Sequence, residues 1–204
     1  MHPKLLTLCV AAAIFAVPVA SHAQLGNGGG TYADVTGVSK WIDVMPRFVD
    51  AAQDALAADA NLLAALGMPE QAAVVVSRSK EMTVDATAGT VEEIMAQHSA
   101  AVALLAPKLA ASGVTLSEAG KEQLSKGIDG LARALVQIDA LSTDLPALKK
   151  LMRDSGAKAR TGYFVSKSLG QYRADMKQEL RAAIAFAKAN SVPFPPDAES
   201  RTAQ

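Results

Sequence analysis

Cysteine and histidine are scarce in this sequence, and both scarcities narrow the chemistry that it can support. The 204 residues include one cysteine, Cys9, and three histidines. Cys9 lies in an N-terminal segment with the three parts of a secretory signal peptide. These parts are a positive charge at Lys4, an apolar run over 5–17, and small residues at Ser21 and Ala23.

Cleavage after Ala23 is the predicted processing step, and it leaves a mature chain without cysteine and with His98 as its only histidine. Disulfides, thiol catalysis, thiolate metal sites and covalently attached haem are therefore excluded for the mature chain. A metal site built from several histidines is excluded for the same reason. The predicted location is the periplasm or the outside of the cell.

Aromatic residues are also few, at 4%, whereas about one residue in five is alanine. Alanine is depleted in strands and aromatic residues are enriched there, so the composition favours helices over a β-sandwich. From Val35 onward, apolar residues recur every three or four positions, as on the buried face of a helix. No later run is long enough to cross a bilayer. The sequence therefore predicts an all-α fold: one domain, an antiparallel bundle of five to six helices.

Changes in composition predict the limits of the domain. Residues 1–23 form the signal peptide, 24–33 a flexible glycine-rich leader, 34–190 the helical bundle, and 191–204 a loose proline-rich tail.

Helix-breaking residues predict the helices of the first half of the bundle. A short helix near 35–45 precedes a longer one near 46–66, with Pro46 either in the first turn of the second helix or at a kink. Gly67 ends that helix, and the next is predicted over 69–88.

Capping residues predict the later helices. Two Thr-x-x-Glu sequences, which begin at Thr90 and Thr115, fit the capping box and predict two helix starts. Asp144 predicts the start of a short helix around 145–154, and the last helix runs over about 157–190.

A series of small residues follows the apolar stripe of the helix after Thr115. Gly120, Gly127 and Ala134 recur at intervals of seven. Because glycine inside a helix costs roughly 1 kcal/mol against alanine, this pattern predicts that another helix approaches closely there.

Charge is balanced overall, with 20 basic and 20 acidic residues, but it is divided along the chain. Residues 24–144 hold 8 basic and 15 acidic side chains, and residues 145–190 hold 10 basic and 3 acidic ones. On the last helix Arg173, Lys177 and Arg181 form an i, i+4, i+8 line. Two interpretations stay open: ion pairs between the basic and acidic helices, each worth little, or a cationic face for an anionic lipid, an envelope polymer or an acidic protein. Nucleic acid is not a predicted partner, because no cluster of base-stacking aromatics accompanies the charges.

The few aromatic residues have two interpretations as well. Trp41 and Phe48 in the first helices, with Tyr163 and Tyr172 in the last, are either ordinary core residues or the lining of an apolar cleft. In the second interpretation the cleft holds the acyl chain of an amphiphile, and the anionic head group meets the basic line of the last helix.

His98 lies in an apolar stripe and is interpreted first as a core or boundary histidine. Its alternative role is axial ligation of a non-covalent haem between facing helices. The acidic residues Asp54, Asp59, Glu92 and Glu93 are interpreted as caps and solvated-face residues, since no Glu-x-x-His pair is present. No metal ligand and no cofactor are therefore predicted.

These observations predict a non-catalytic exported binding or accessory protein whose ligand is an anionic amphiphile or an envelope component. The first alternative is a protein–protein interaction module (an adaptor, an inhibitor or an immunity factor) that uses the charge-divided faces. The second is the haem-binding bundle. No enzymatic activity is predicted, because no residue pattern indicates a nucleophile with placed partners.

Overall fold

The computed structural model describes residues 38–83, 87–152 and 158–203, and within them the side chains of 38–43, 45 and 145–163 are not described. The predicted signal peptide, 1–23, and leader, 24–33, lie outside the described residues. The described ranges contain no strand. Their six helices are α1 (Val38–Ala65), α2 (Pro69–Ser79), α3 (Ala88–Leu109), α4 (Glu118–Met152), α5 (Lys158–Ala189) and α6 (Ala198–Ala203).

This arrangement confirms the predicted all-α bundle of five to six helices. Residues 34–204 form one compact unit. Among the described helices, none combines the length and the hydropathy that a membrane crossing requires.

The first helix is continuous where two helices were predicted. Pro46 lies inside α1, so no helix ends near residue 45. Proline removes one backbone hydrogen bond from a helix interior. The side chains around it, Val44, Phe48 and Val49, are all buried on one face, and this packing favours a single helix over two.

The turn after α1 follows the prediction. Gly67 has φ +79°, in the left-handed region that favours glycine. The amide of Met68 donates to the carbonyl of Leu63 at 2.8 Å, which closes the end of the helix. Pro69 then occupies the first turn of α2. However, α2 ends at Ser79 rather than near 88.

The chain after α2 turns back onto α1, which explains the early end. Met82 is buried, and its carbonyl accepts a hydrogen bond from the Gln53 side chain at 2.9 Å. The packing of Met82 against the core therefore outweighs the propensity of this segment to continue as a helix.

The residue that caps α3 lies three positions before the predicted one, and the residue that caps α4 lies two positions after it. The N-cap of α3 is Thr87, whose hydroxyl accepts from the amide of Thr90 at 3.2 Å. Ahead of α4, the hydroxyl of Ser117 accepts from the amide of Gly120 at 3.1 Å. In each case the hydroxyl belongs to the residue three positions before the amide, and this amide has no carbonyl acceptor inside the helix. This is the geometry of a helix N-cap.

The short helix predicted around 145–154 is also wrong, because α4 continues to Met152. Asp144 does not interrupt the helix. Its carboxylate accepts a hydrogen bond from the Arg47 guanidinium of α1 at 2.7 Å. The predicted last helix corresponds to α5.

The small residues of α4 bring it close to α1, as predicted. A β-carbon added at Gly127 would lie 2.6 Å from the side chain of Leu62, and one at Gly130 would lie 3.0 Å from Ala58. Ala134, the third small residue of the series, is fully buried. Residue numbers fall along α1 as they rise along α4, so the two helices are antiparallel: Ala65 with Gly120, Leu62 with Gly127, Ala58 with Gly130, and Arg47 with Asp144.

The C-terminal tail packs on the bundle, in contrast to the predicted loose tail. Ser191 has φ 54°, and the amide of Val192 donates to the carbonyl of Ala187 at 2.9 Å, which reverses the chain after α5. Val192 and Ala198 are buried. The prolines therefore end α5 without preventing the following residues from covering the core.

The close contact of α1 and α4 leads to a stability prediction. Gly127→Ala is expected to lower the free energy of unfolding by about 1–3 kcal/mol, because the clash with Leu62 exceeds the gain in helix propensity. Gly170→Ala, inside α5 with no atom within 4 Å of the added carbon, is the control and is expected to gain up to about 1 kcal/mol. Urea denaturation measures both, and equal stabilisation by the two substitutions would contradict the close contact.

Candidate metal centre

Three ionisable side chains meet inside the bundle. Asp59 comes from α1, His98 from α3 and Glu179 from α5. Asp59 and His98 are 0% exposed and Glu179 is 2% exposed. Charged residues are almost never buried to this degree unless they are paired or hold an ion.

The polar atoms of the three side chains point to one place. Nδ1 of His98 lies 2.8 Å from Oδ2 of Asp59, at hydrogen-bonding distance. The same nitrogen lies 4.0 Å from Oε2 of Glu179. One potential ligand atom from each residue lies within 4.8 Å of the other two. A metal ion between them would need only small side-chain adjustments, since bonds of metals to nitrogen and oxygen ligands measure about 2.0–2.2 Å.

Several buried atoms of the cluster have no hydrogen-bond partner among the described residues. They are Oδ1 of Asp59 and Nε2 of His98, and the carboxyl oxygens of Glu179 have no partner other than the Asp59 carboxylate, to which protonated Glu179 donates. The hydroxyl of Tyr172, also on α5, is buried and lacks a partner in the same way. A buried polar atom without a partner costs about 1–3 kcal/mol, and more if it is charged. The cluster therefore contains more buried polar atoms than its own hydrogen bonds satisfy.

Burial and mutual repulsion change the proton affinity of the cluster. Burial raises the pKa of Glu179 well above its usual range, and the negative charge of Asp59 and a hydrogen bond to its carboxylate raise it further. For His98, burial lowers the pKa, but the charge of Asp59 and the hydrogen bond to it prevail, and the net change is upward. Without a cation the cluster therefore retains protons that isolated side chains would release.

Aromatic rings enclose one side of the cluster. The ring of Tyr172 meets the ring of His98 edge to face, with 4.8 Å between the ring centroids. Phe48 also packs near Tyr172, at 6.3 Å between centroids. Burial raises the pKa of Tyr172 well above 10, and the charges of Asp59 and Glu179 add to this effect. Packing against the Tyr172 ring restricts the orientation of the His98 ring.

Two of the four residues predicted to line an apolar cleft are core residues. Phe48 and Tyr172 are brought together, but both are buried in the core. Trp41 belongs to α1 and Tyr163 to α5, and their side chains are outside the described part of the chain.

The predicted basic line of α5 does not form one exposed face. Arg173 pairs with Asp139 of α4, and Lys177 is 7% exposed. Arg181 is exposed and donates to the backbone carbonyl of Thr202, at 3.1 Å from its Nε. Arg173 therefore fits the interpretation in which basic side chains pair with acidic residues of a neighbouring helix. Binding of an anionic amphiphile stays a prediction.

Sequence analysis found His98 but missed its partners. The interpretation of Asp59 as a cap or solvated residue is wrong, since the side chain is fully buried, whereas Glu92 and Glu93 are exposed. Asp59 is three residues after Leu56 and four before Leu63, and Glu179 is four residues before Ala183. A charged residue at a core position of an apolar stripe is the signal that would have identified both.

No family model matches the chain, and neither a curated protein nor a solved structure shows significant similarity to it.

The raised pKa values predict how the stability of the metal-free protein depends on pH. A group whose pKa is higher in the folded state stabilises the fold below its unfolded pKa, and this contribution is lost as the pH rises through the folded value. Relative to Glu179→Gln, the parent protein is therefore expected to lose stability as the pH rises above about 4.3, the ordinary pKa of glutamate, toward the raised value of the folded state. Denaturation in the presence of a chelator measures this difference.

The matched control for this prediction is Glu92→Gln, at an exposed position of α3. It should show the same pH dependence as the parent. A parent protein that gains stability over Glu179→Gln as the pH rises would contradict the assigned direction.

Proposed function

We propose that this protein binds a single metal ion in the core of its bundle, with Asp59, His98 and Glu179 as ligands. The observation that carries the proposal is the convergence of these three buried side chains from three helices, with one potential ligand atom of each within 4.8 Å of the other two. Three protein ligands and one further donor would give the four-coordinate arrangement that zinc adopts in proteins.

The donor set favours a particular class of ion. One imidazole nitrogen and two carboxylates suit first-row transition ions such as zinc, manganese, iron or cobalt. The cluster contains no thiol, the kind of ligand that selects copper(I). Calcium prefers six to eight oxygen ligands, and magnesium retains several waters, so a buried site with an imidazole suits neither.

Charge balance supports a cation at this position. Once their protons are lost, the two carboxylates and a neutral imidazole would carry two negative charges in a buried region, which is unfavourable. A cation would neutralise these charges and give the carboxylate oxygens a ligand role. Metal binding would release the protons that the cluster holds without it.

The burial of the cluster favours binding over catalysis. Two grooves on the described surface are lined by other residues, one between α2 and α3 and one at the α1–α2 turn beside the start of α4. A sealed ion suits a carrier, storage or structural role better than reaction with a substrate. With the predicted export, the protein would meet its metal outside the cytoplasm.

Metal binding is tested with purified protein freed of metal by a chelator. Titration calorimetry with zinc(II), manganese(II) and cobalt(II) is expected to give one site per chain. Asp59→Asn and Glu179→Gln should each weaken binding by at least about 100-fold. Each removes an anionic ligand, and loss of a residue that only hydrogen-bonds to a ligand already costs about 10–100-fold. Unchanged affinity in both variants, or no binding by the parent, would refute the proposal.

The matched control is Asp54→Asn. Asp54 is on the same helix and is half-buried, and its carboxylate accepts a hydrogen bond from Gln137 at 3.1 Å. The substitution makes the same chemical change outside the cluster, so metal affinity should stay at the parent value.

Thermal unfolding gives an independent prediction. At a free metal concentration about 100 times the Kd, the parent should gain about 2.7 kcal/mol of stability. Glu179→Gln should fold without metal, because glutamine resembles the protonated carboxyl in shape and charge, but its Tm should not respond to metal. A metal response of equal size in this variant would place the ion elsewhere.

A further inference from the structure

The hydroxyl of Tyr172 is a buried donor that the three-ligand site does not use. It has no hydrogen-bond partner among the described residues, although the residue is 98% buried. Tyrosine hydroxyls usually have a partner when they are buried. The unpartnered hydroxyl therefore needs an explanation of its own.

Tyr172 lies beside the cluster. Its ring contacts the ring of His98, and Tyr172 precedes Glu179 by seven residues on α5, about two helical turns, so both lie on one face of the helix. Because the hydroxyl is fixed rigidly to its ring, it lies near His98 in the same buried core as the three ligands.

We propose that Tyr172 is the fourth ligand of this site and that the site is built for ferric iron, an inference that rests on the proposed metal-binding function. Two carboxylates and one phenolate carry three negative charges, which equal the charge of iron(III). All three are hard oxygen donors, and the imidazole also suits iron.

The coordination step is balanced without any change of oxidation state. The phenolic O–H bond breaks, its proton passes to the buffer, and an O–Fe bond forms while the iron remains ferric. A bound cation favours this loss of a proton, because the charge of the ion dominates the local field.

The test supplies iron(III) as its nitrilotriacetate complex to metal-free protein. A phenolate bound to iron(III) absorbs visible light through charge transfer, whereas zinc(II) complexes are colourless. The parent is expected to develop this band up to one equivalent of iron. Tyr172→Phe should lose the band and bind iron(III) at least about tenfold more weakly, while its zinc(II) affinity should stay within about threefold of the parent's. Tyr163→Phe, the same change on the same helix, should keep the band.

The remaining outcomes separate this inference from the proposed function. Zinc(II) binding without a visible band on iron(III) addition would overturn the role of Tyr172 and leave the three-ligand site standing. A band that persists in Tyr172→Phe would overturn it too, because another phenolate would be the donor. Failure to bind any of the metals would overturn both.

Discussion

The burial of three ionisable side chains at one point is the constraint on which the rest of the structure depends. Asp59, His98 and Glu179 are far apart in sequence, so α1, α3 and α5 must keep one relative position for their polar atoms to meet. Carboxylates removed from water are unfavourable unless protons or a cation balance their charge. Protons and a cation would bind to the same carboxylate oxygens. The packing of the bundle is therefore linked to the binding of protons or a cation in the cluster.

The contact between α1 and α4 decides which way Asp59 faces. Ala58 packs against Gly130, where the absence of a side chain lets the helices approach. Successive helix residues are rotated by about 100° around the axis. Asp59 is therefore turned away from α4 and toward α3, where it meets His98. The small residues of α4 act on the cluster indirectly, through the orientation of α1.

Local signals in the sequence were sufficient for most of the fold. The apolar period of three to four residues predicted the helices, and the turn at Gly67 and the small-residue series of α4 were predicted from single residue types. Asp144 can start a helix, but it lies inside α4, where it pairs with Arg47 at the surface. Two other errors share one cause. Pro46 has a local preference to break a helix, and burial of the α1 side chains around it outweighs this preference. At the C-terminus, burial of Val192 and Ala198 likewise outweighs the prolines.

The sequence by itself determined the helical class and the scarcity of cysteine and histidine, and it placed His98 on an apolar stripe of a helix. Only the tertiary structure decided that Asp59 and Glu179 are its neighbours, because they follow it or precede it by tens of residues and no short motif connects them. A carboxylate on a solvated face and one in a core have the same letter in the sequence. Their chemistry differs because neighbouring helices remove the water, and that depends on how the chain is packed.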